Sequence, residues 1–179
     1  PKTISDPLYG PIDIRPVLPI VGTEQFQLLG ERHQLGAAHV VFPSAQHTRK
    51  VHSFGVYHQT LEMARRWMDL GFVGEEEVRA LAAFGLCHDL GHAPFSHLSE
   101  CFYEPPGPKE MSVNSRMSIA RIREIRGAIE ECGVDFDLVL SLAEHRNPLH
   151  VAISDKNLGA DKLDYLQRDG LVTILSEPS

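Results

Sequence analysis

The sequence predicts a single all-α domain, and three observations support that prediction. Apolar residues recur every three or four positions in long segments at 52–70, 75–90 and 114–132, as on the buried face of a helix. No segment of alternating apolar residues is long enough to build a sheet, and neither an internal repeat nor a low-complexity tract interrupts the pattern. The 179 residues suffice for one well-buried core, so we expect a single domain over residues 1–179.

The N-terminal segment differs from the rest of the chain in its proline content. Residues 1–22 contain five prolines and no helical period, so we predict an extended arm laid over the domain. Thr23 is a suitable N-cap for a helix over 23–34. The short apolar piece at 39–42 should be extended, and the polar loop 44–50 follows it.

The later helices are bounded by residues that start or stop helices. Gly71 ends the helix over 52–70, and the acidic first turn of 75–90 suits a helix N-terminus. Asn114 is the expected cap of the amphipathic helix that follows the proline-rich loop 104–108. In chain order, the predicted helices are 23–34, 52–70, 75–90, 95–103, 114–132, 136–143 and a last helix that begins at Ser154 or Asn157 and runs to about Asp169.

Composition and charge exclude several classes of protein. The longest apolar run is far too short to span a bilayer, so we expect no membrane partner. A net charge of −7 argues against general nucleic-acid binding, which needs a basic face. Three cysteines without metal-finger spacing suit a reducing compartment, so we predict a cytoplasmic protein. Because the chain begins at Pro1 rather than at methionine, we expect a fragment or a trimmed chain.

The stretch richest in reactive side chains is 86–97, which holds three histidines and an aspartate. It follows the most apolar run of the chain, so His88 and Asp89 emerge from a core rather than from a polar surface. An adjacent His-Asp pair at a helix end can give one nitrogen and one oxygen ligand to the same cation. The alternative is a histidine-rich helix terminus, where the helix dipole favours an imidazole without any metal.

Two further segments carry residues that could join this pair around one cation. His52 opens a helix after a basic loop, and Asp161 lies near the start of the last helix. Two imidazoles and two carboxylates form a mixed nitrogen and oxygen site that suits a divalent metal ion, namely Mn, Fe, Ni or Zn, and less selectively Mg. Such a site keeps coordination positions open for water and substrate, as a catalytic site requires.

The last helix places polar residues on one side. Asp161, Tyr165 and Asp169 recur every four residues and therefore share one helical face. These side chains could face a ligand, or they could form a solvated surface with neighbouring lysine and arginine, which is the commoner use of such residues. The sequence pattern leaves both interpretations open.

At these positions the sequence resembles the HD-domain metal phosphohydrolases, whose signature is H…HD…D. His52, the pair His88-Asp89 and Asp161 match that signature. The match is closer to one branch of the family, the deoxynucleoside triphosphate triphosphohydrolases. Segments similar to that branch occur in its order over nearly the whole chain, at 6–10, 25–27, 34–36, 41–43, 47–49, 52–56, 88–97 and 161–169.

The resemblance implies an HD-domain helical bundle and a role for each matched residue. The implied metal ligands are His52, His88, Asp89 and Asp161. The implied phosphate contacts, which form a charge-assisted donor set, are Arg49, His92, His97 and Lys162. The implied sugar contacts are Gln34, Tyr165 and Asp169, with Leu35 packing on the sugar. Among these residues we assign catalysis to His92, His97 and Asp89.

Two departures from the family pattern bear on function. The family usually carries a His-Glu pair after the HD segment, whose histidine takes part in catalysis, and no histidine stands at 108–114 of this chain. Regulated members carry a basic and an acidic residue around the segment that corresponds to 25–27, where this chain has Gly22 and Gly30. We therefore do not expect the activating guanine nucleotide that those members bind.

The expected function is metal-dependent hydrolysis of nucleotides, with a dNTP as substrate and with deoxynucleoside and triphosphate as products. One alternative is an HD-type nucleotide phosphomonoesterase or phosphodiesterase on the same metal site. Another is a low-activity sensor that binds metal and nucleotide. The four metal ligands favour an enzyme, whereas the missing histidine favours the sensor. By the same resemblance we expect a homo-oligomer.

Overall fold

The computed structural model describes residues 2–94, 102–103, 110–155 and 157–173. Within these residues α-helices predominate, and the only sheet has two short strands. The all-α prediction is therefore confirmed. The predicted helix over 95–103 lies almost entirely outside the described residues. None of the described helices is long and apolar enough to cross a membrane.

The first residues of the chain are extended as predicted, but only as far as Asp13. β1 (Thr3–Asp6) and β2 (Gly10–Asp13) pair as an antiparallel hairpin. A 3-10 helix (Arg15–Val17) and α1 (Leu18–Val21) follow it. Each of these two helices has a proline in its first turn, where the missing N–H costs no hydrogen bond. Pro16 and Pro19, which we interpreted as signs of an extended arm, therefore start helices, whereas Pro11 lies in β2.

The next segment is helical in short pieces. α2 (Glu24–Gln27) begins at Thr23 as predicted, because the Thr23 hydroxyl accepts a backbone hydrogen bond at 3.3 Å. It is shorter than predicted, since a 3-10 helix (Leu28–Glu31) follows it directly. The predicted extended piece at 39–42 is wrong, because a 3-10 helix (Ala38–Val40) covers its first two residues and a turn follows at Val41. A short apolar run fits a strand and a helical turn equally well, so its pattern cannot distinguish them.

Two long helices form the centre of the fold. α3 (Arg49–Asp69) ends before Gly71, whose φ of +78° takes the backbone out of the helix. α4 (Glu75–Cys87) packs along α3. The two helices approach closely at Gly85, where a Cβ would lie only 2.8 Å from the Thr60 hydroxyl.

The next two helices replace one long predicted helix. The N-cap of α5 (Val113–Glu124) is Ser112, whose hydroxyl accepts a backbone hydrogen bond at 3.1 Å. The prediction that Asn114 is the cap is therefore wrong. Ile125 leaves helical geometry, with φ of −97° and ψ of +19°, and α6 (Arg126–Glu131) begins after it. The apolar period continues through this break, so periodicity did not reveal it.

The remaining helices complete the core around α3 and α4. α7 (Phe136–Ala143) has the predicted bounds and an aspartate N-cap, and it packs on α4 and α5. α8 (Val151–Ser154) and α9 (Ala160–Thr173) follow it, and both pack on α3. The last helix therefore starts later than predicted and continues beyond Asp169. This packing brings the start of α3, the end of α4 and the start of α9 to one place.

Candidate active site

Three side chains from three separate helix ends form a compact cluster. His52 lies in the first turn of α3, His88 follows the last residue of α4, and Asp161 lies in the first turn of α9. Asp161 Oδ1 is 3.0 Å from His52 Nε2 and 3.6 Å from His88 Nε2. One potential ligand atom from each side chain lies within 4.8 Å of the other two. The structure thus brings together three of the four predicted metal ligands.

Asp89 borders this cluster but is held mainly by cations. Its Oδ2 accepts a hydrogen bond of 2.5 Å from Arg49 and lies 3.9 Å from His52 Nε2. Its Oδ1 lies 3.1 Å from His92 Nε2 and 3.4 Å from His88 Nε2. Asp89 is therefore adjacent to the three-residue cluster, and its role as the fourth ligand stays a prediction.

The turn that carries these residues packs directly on α5. α4 ends at Cys87, three residues before the predicted end, and the backbone turns over the next four residues. The Gly91 amide donates a hydrogen bond of 2.9 Å to the Ser118 hydroxyl. A Cβ at Gly91 would lie 2.7 Å from the carbonyl oxygen of Asn114, so only glycine permits this contact without a shift of the backbone.

The imidazoles are oriented as metal ligands require. His88 Nδ1 is 2.8 Å from the carbonyl oxygen of Gly85, so Nδ1 carries the proton and donates it there. In the neutral imidazole, His88 Nε2 therefore offers a lone pair to a cation, and this buried atom has no hydrogen-bond partner. His52 Nδ1 lies 2.7 Å from Asp164 Oδ2, which leaves His52 Nε2 directed at Asp161. The residues present therefore fit a divalent cation bound by two nitrogens and at least one carboxylate oxygen.

The support of His52 extends through residues that the sequence analysis did not assign to the site. Asp164 is fully buried and accepts two hydrogen bonds of 2.9 Å from Arg168. Arg168 also forms an ion pair of 3.0 Å with Asp6 at the end of β1. Gly55 of α3 makes room for this network, since a Cβ there would overlap the Asp164 carboxylate. We call Asp6, Asp164 and Arg168 the ionic chain.

One sequence signal could have identified Asp164. Asp161, Asp164 and Arg168 are spaced at i, i+3 and i+7, so they share one face of the last helix. Leu166, an apolar residue of the same helix, is 56% exposed. The buried face of α9 is thus charged, which is unusual unless each charge has a partner.

The charges of the cluster perturb one another strongly. Burial lowers the pKa of His52, but hydrogen bonds to Asp161 and Asp164 outweigh it and raise the pKa to about 9. Burial raises the pKa of Asp161, but the hydrogen bond from His52 and the proximity of His88 outweigh it and lower this pKa below its ordinary value. Burial likewise raises the pKa of Asp89, but the charges of His88, His92 and Arg49 hold it well below the usual range. A cation that binds here replaces the proton on His52, so binding must release protons.

A cavity of about 320 Å³ opens onto the cluster beside α9; we call it the first cavity. It is lined by six of the predicted substrate contacts, namely Gln34, Leu35, Arg49, His92, Tyr165 and Asp169. Asp89 and Asp161 complete its wall. The Gln34 segment is held against the start of α3 because the Gln34 amide donates to the His47 carbonyl at 3.0 Å. His47 Nε2 lies 2.8 Å from Asp169 Oδ1 and fixes that carboxylate in the wall.

Two predicted phosphate contacts stand apart from the others. Lys162 is half-buried on α9 and does not line the first cavity. His97 lies outside the described residues. The roles of both residues stay predictions.

A second cavity of about 280 Å³ reaches the same cluster from the side of α5 and α7; we call it the second cavity. It shares Asp89, His92 and Asp161 with the first cavity and otherwise has different walls. His88 and residues of α4, α5, α7 and the segment after α7 line it. His145, at the end of α7, is part of this wall, and no feature of the sequence had singled it out.

A family model and two curated relatives match most of this chain. Residues 49–169 match the family model for the HD domain. The chain is 33% identical to a Dictyostelium discoideum protein named deoxynucleoside triphosphate triphosphohydrolase SAMHD1 homolog, over 94% of this chain and 36% of that protein. It is 32% identical to human deoxynucleoside triphosphate triphosphohydrolase SAMHD1, over 94% of this chain and 33% of that protein.

A solved structure shows the same fold. The crystal structure of a phosphohydrolase from Bacteroides thetaiotaomicron superposes with a TM-score of 0.82 at 30% identity. The superposition covers 100% of this chain and 44% of that one. The chain thus spans between about one third and just under half the length of these relatives.

Proposed function

Because this chain belongs to the HD-domain family, we propose that it is a metal-dependent phosphohydrolase that acts on nucleotides, with deoxynucleoside triphosphates as substrates. The observation that carries the proposal is the first cavity, in which the candidate metal ligand Asp161 shares a wall with the predicted phosphate contact Arg49 and the predicted sugar contact Asp169. The relatives named as dNTP triphosphohydrolases support the choice of substrate.

The charges in the first cavity require a cation when a polyphosphate binds. Asp89, Asp161 and Asp169 line it with three carboxylates, against Arg49 and His92. A nucleotide phosphate chain would meet net repulsion there unless a metal ion compensates. His52, His88 and Asp161 would hold that ion, with Asp89 beside them, and a bound divalent cation would supply Lewis-acid activation of the phosphate and of water.

The protein side chains would position the substrate around that ion. Arg49 is held by Asp89 within the wall, so its guanidinium is ready to neutralise charge that develops on phosphate oxygens. Tyr165 and Asp169 lie one and two turns beyond Asp161 on α9, about 6 and 12 Å away at 1.5 Å per residue. That spacing suits a phosphate at the metal and a deoxyribose at Asp169, whose carboxylate would accept a hydrogen bond from the 3′-hydroxyl.

Phosphorus NMR of the reaction products is the direct test. Protein loaded with Mn²⁺ is incubated with each of the four dNTPs, and intact triphosphate is the expected product. Stepwise release of phosphate would indicate the phosphomonoesterase or phosphodiesterase instead. Nucleotide binding without turnover would indicate the sensor. Asp161→Ala should abolish turnover, whereas Asp137→Ala on the exposed side of α7 should leave it unchanged.

Two substitutions test which residue of the first cavity contacts the phosphates and which contacts the sugar. Arg49→Ala should raise KM for every nucleotide regardless of its sugar, because it removes a phosphate contact. Asp169→Ala should erode the discrimination between 3′-hydroxyl and 3′-deoxy substrates, because it removes the partner of that hydroxyl. Equal and small effects of both substitutions would contradict the nucleotide assignment and leave the metal site alone.

A further inference from the structure

Three helices of the described residues end on a residue with positive φ, and one of the three is not glycine. Gly71 follows α3 with φ of +78°, and Gly133 follows α6 with φ of +69°. His145 follows α7 with φ of +56°, and no other described residue except glycine has a positive φ. A side chain with a Cβ is disfavoured in this conformation, so a histidine here weakens the end of α7 relative to glycine.

The hydrogen bonds around His145 are those that usually select glycine. The His145 amide donates to the Leu142 carbonyl at 3.0 Å, and the next amide donates to the Ser141 carbonyl at 2.9 Å. This is the Schellman arrangement, with His145 at the position where glycine is most common. Gly71 has the same pair of bonds, each of 2.9 Å. The local backbone therefore favours glycine at position 145, yet the chain has a histidine there.

The position of the His145 imidazole allows proton exchange between solvent and the cluster of His52, His88 and Asp161. His145 lines the second cavity together with His88 and Asp161, yet the residue is exposed, so it lies at the mouth of that cavity. Its ring stacks on His150 at 4.2 Å between centroids, with an angle of 18° between the planes. The stacking holds the ring in place although the backbone around it is strained.

The second cavity is suited to water rather than to a phosphate chain. Its wall combines serine hydroxyls with apolar side chains of α4, α5 and α7, and none of its lining residues is lysine or arginine. The first cavity, by contrast, contains Arg49 and the predicted sugar contacts. A substrate that occupies the first cavity would leave the second cavity as a separate approach to the same cluster, open to a water molecule.

On the premise of the proposed hydrolase function, we propose that His145 transfers protons between the water that attacks phosphorus and the bulk solvent. In this step the water oxygen bonds to phosphorus, and the bond from phosphorus to the leaving oxygen breaks with its electron pair on that oxygen. One proton of the water passes to the His145 imidazole, directly or through one further water, and then to solvent. The leaving oxygen takes up a proton from solvent, so the hydrolysis is balanced.

The charge state of the ring suits this role. Burial, and secondarily the neighbouring His150, lower the pKa of His145 below its ordinary value. The imidazole is therefore neutral near pH 7 and able to accept a proton.

Substitutions that the backbone tolerates provide the test. Hydrolysis of an equimolar mixture of the four dNTPs by Mn²⁺-loaded protein is followed by phosphorus NMR, in imidazole buffer and in Hepes buffer of the same pH. His145→Gly and His145→Asn both suit a positive φ, and both should lower the rate in Hepes by about 100-fold. Imidazole should restore the rate of His145→Gly, which leaves a space for the buffer molecule, and should restore His145→Asn far less.

Stability and metal content separate this role from a structural one. His145→Gly should raise Tm by about 2–4 °C, and Gly133→His should lower it by a similar amount, because each exchanges glycine and histidine at the same kind of helix end. Gly133→His should keep its hydrolysis rate, since a Cβ at that position meets nothing within 4 Å. The metal content of all variants should equal that of the wild type.

Each contrary result has its own meaning. Hydrolysis by His145→Asn at the wild-type rate would overturn the role of His145 and leave the proposed function intact. A loss of rate that imidazole does not restore in His145→Gly, or that accompanies a loss of metal, would also overturn it. Absence of product from the wild-type protein would overturn the proposed function and the role of His145 together.

Discussion

His52 and His88 both direct a ring nitrogen at Asp161, but the protein holds them in different ways. His88 is oriented from within its own helix, since its Nδ1 donates to the Gly85 carbonyl three residues earlier at 2.8 Å. His52 is oriented from another helix, since its Nδ1 donates to the Asp164 carboxylate at 2.7 Å. Asp164 in turn depends on Arg168, and Arg168 on Asp6, so the support of His52 crosses α9 and reaches β1.

Two candidate ligands of the same chemistry can therefore have unequal support. A carbonyl in the same helix keeps its position as long as the helix is folded. A buried carboxylate keeps its position only while its own charge is compensated, because an unpaired buried charge is costly. Damage to the ionic chain should therefore change metal binding through His52 while His88 is left unchanged.

The largest effect should come from removing an imidazole altogether. His88→Ala deletes a candidate ligand whose Nε2 is buried and has no hydrogen-bond partner, so metal affinity should fall by about 100-fold or more. Asp161→Ala should have an effect of the same size. Elemental analysis and Mn²⁺ titration measure it, with His39→Ala on the exposed 3-10 helix as the control. Full metal occupancy in both variants would mean that the cluster is not the metal site.

The next effect should come from the ionic chain. Asp164→Asn keeps the shape of the side chain but removes the charge that orients His52 and compensates Arg168. Metal affinity should fall by about 10–100-fold, as is usual for residues that orient a metal ligand. The free energy of unfolding should fall by about 3 kcal/mol, because Arg168 keeps only one carboxylate partner in the ionic chain. Mn²⁺ titration and urea unfolding measure the two quantities.

Asp137→Asn is the control for this substitution, since Asp137 lies on the exposed side of α7. A wild-type affinity in Asp164→Asn would show that His52 needs no charged support, and the contrast between the two histidines would then have no functional meaning.

A smaller effect should come from a substitution that places a methyl group against the ionic chain. Gly55→Ala places a Cβ where the Asp164 carboxylate lies, so Asp164 and Arg168 must shift. The free energy of unfolding should fall by about 1–3 kcal/mol. Gly127→Ala is the matched control, because a Cβ at that helical glycine meets nothing within 4 Å and should stabilise α6 by about 0.5–1 kcal/mol. Urea unfolding measures the free energy of unfolding of both variants. Equal changes of this free energy in the two variants would contradict the close packing at Gly55.

The smallest effect should come from removing the proton of His52 by raising the pH, which leaves every side chain in place. In the metal-free protein, burial opposes protonation of His52, but Asp161 and Asp164 raise its pKa from 6.5 to about 9. The folded chain therefore binds this proton more tightly than the unfolded chain, and the resulting stability is complete below pH 6.5 and is lost as the pH rises to about 9.

The midpoint of urea unfolding should consequently decrease between these two pH values for metal-free protein. With Mn²⁺ bound, the metal takes the place of the proton and the decrease should be smaller. A midpoint that stays constant or increases in the metal-free protein would show that the carboxylates do not hold a proton on His52.

Much of the helical architecture follows from local patterns in the sequence. The spacing of apolar residues predicted the centre of α3, the bounds of α7 and the helical nature of the last segment. It failed at Ile125 and at the prolines near the N-terminus, since an apolar period continues through a break and a proline is as good at starting a helix as at preventing one.

The reactive residue types and their order along the chain follow from the sequence alone. His52, His88, Asp89 and Asp161 could be named without any structure, because a nitrogen and oxygen ligand set is a property of side-chain chemistry. Only the tertiary structure decided which side chains support them and which line each cavity. The ionic chain joins residues 6, 164 and 168, and the second cavity joins the ends of α4, α7 and α9. Such long-range contacts depend on how helices pack, and packing leaves no periodic signal along a single segment.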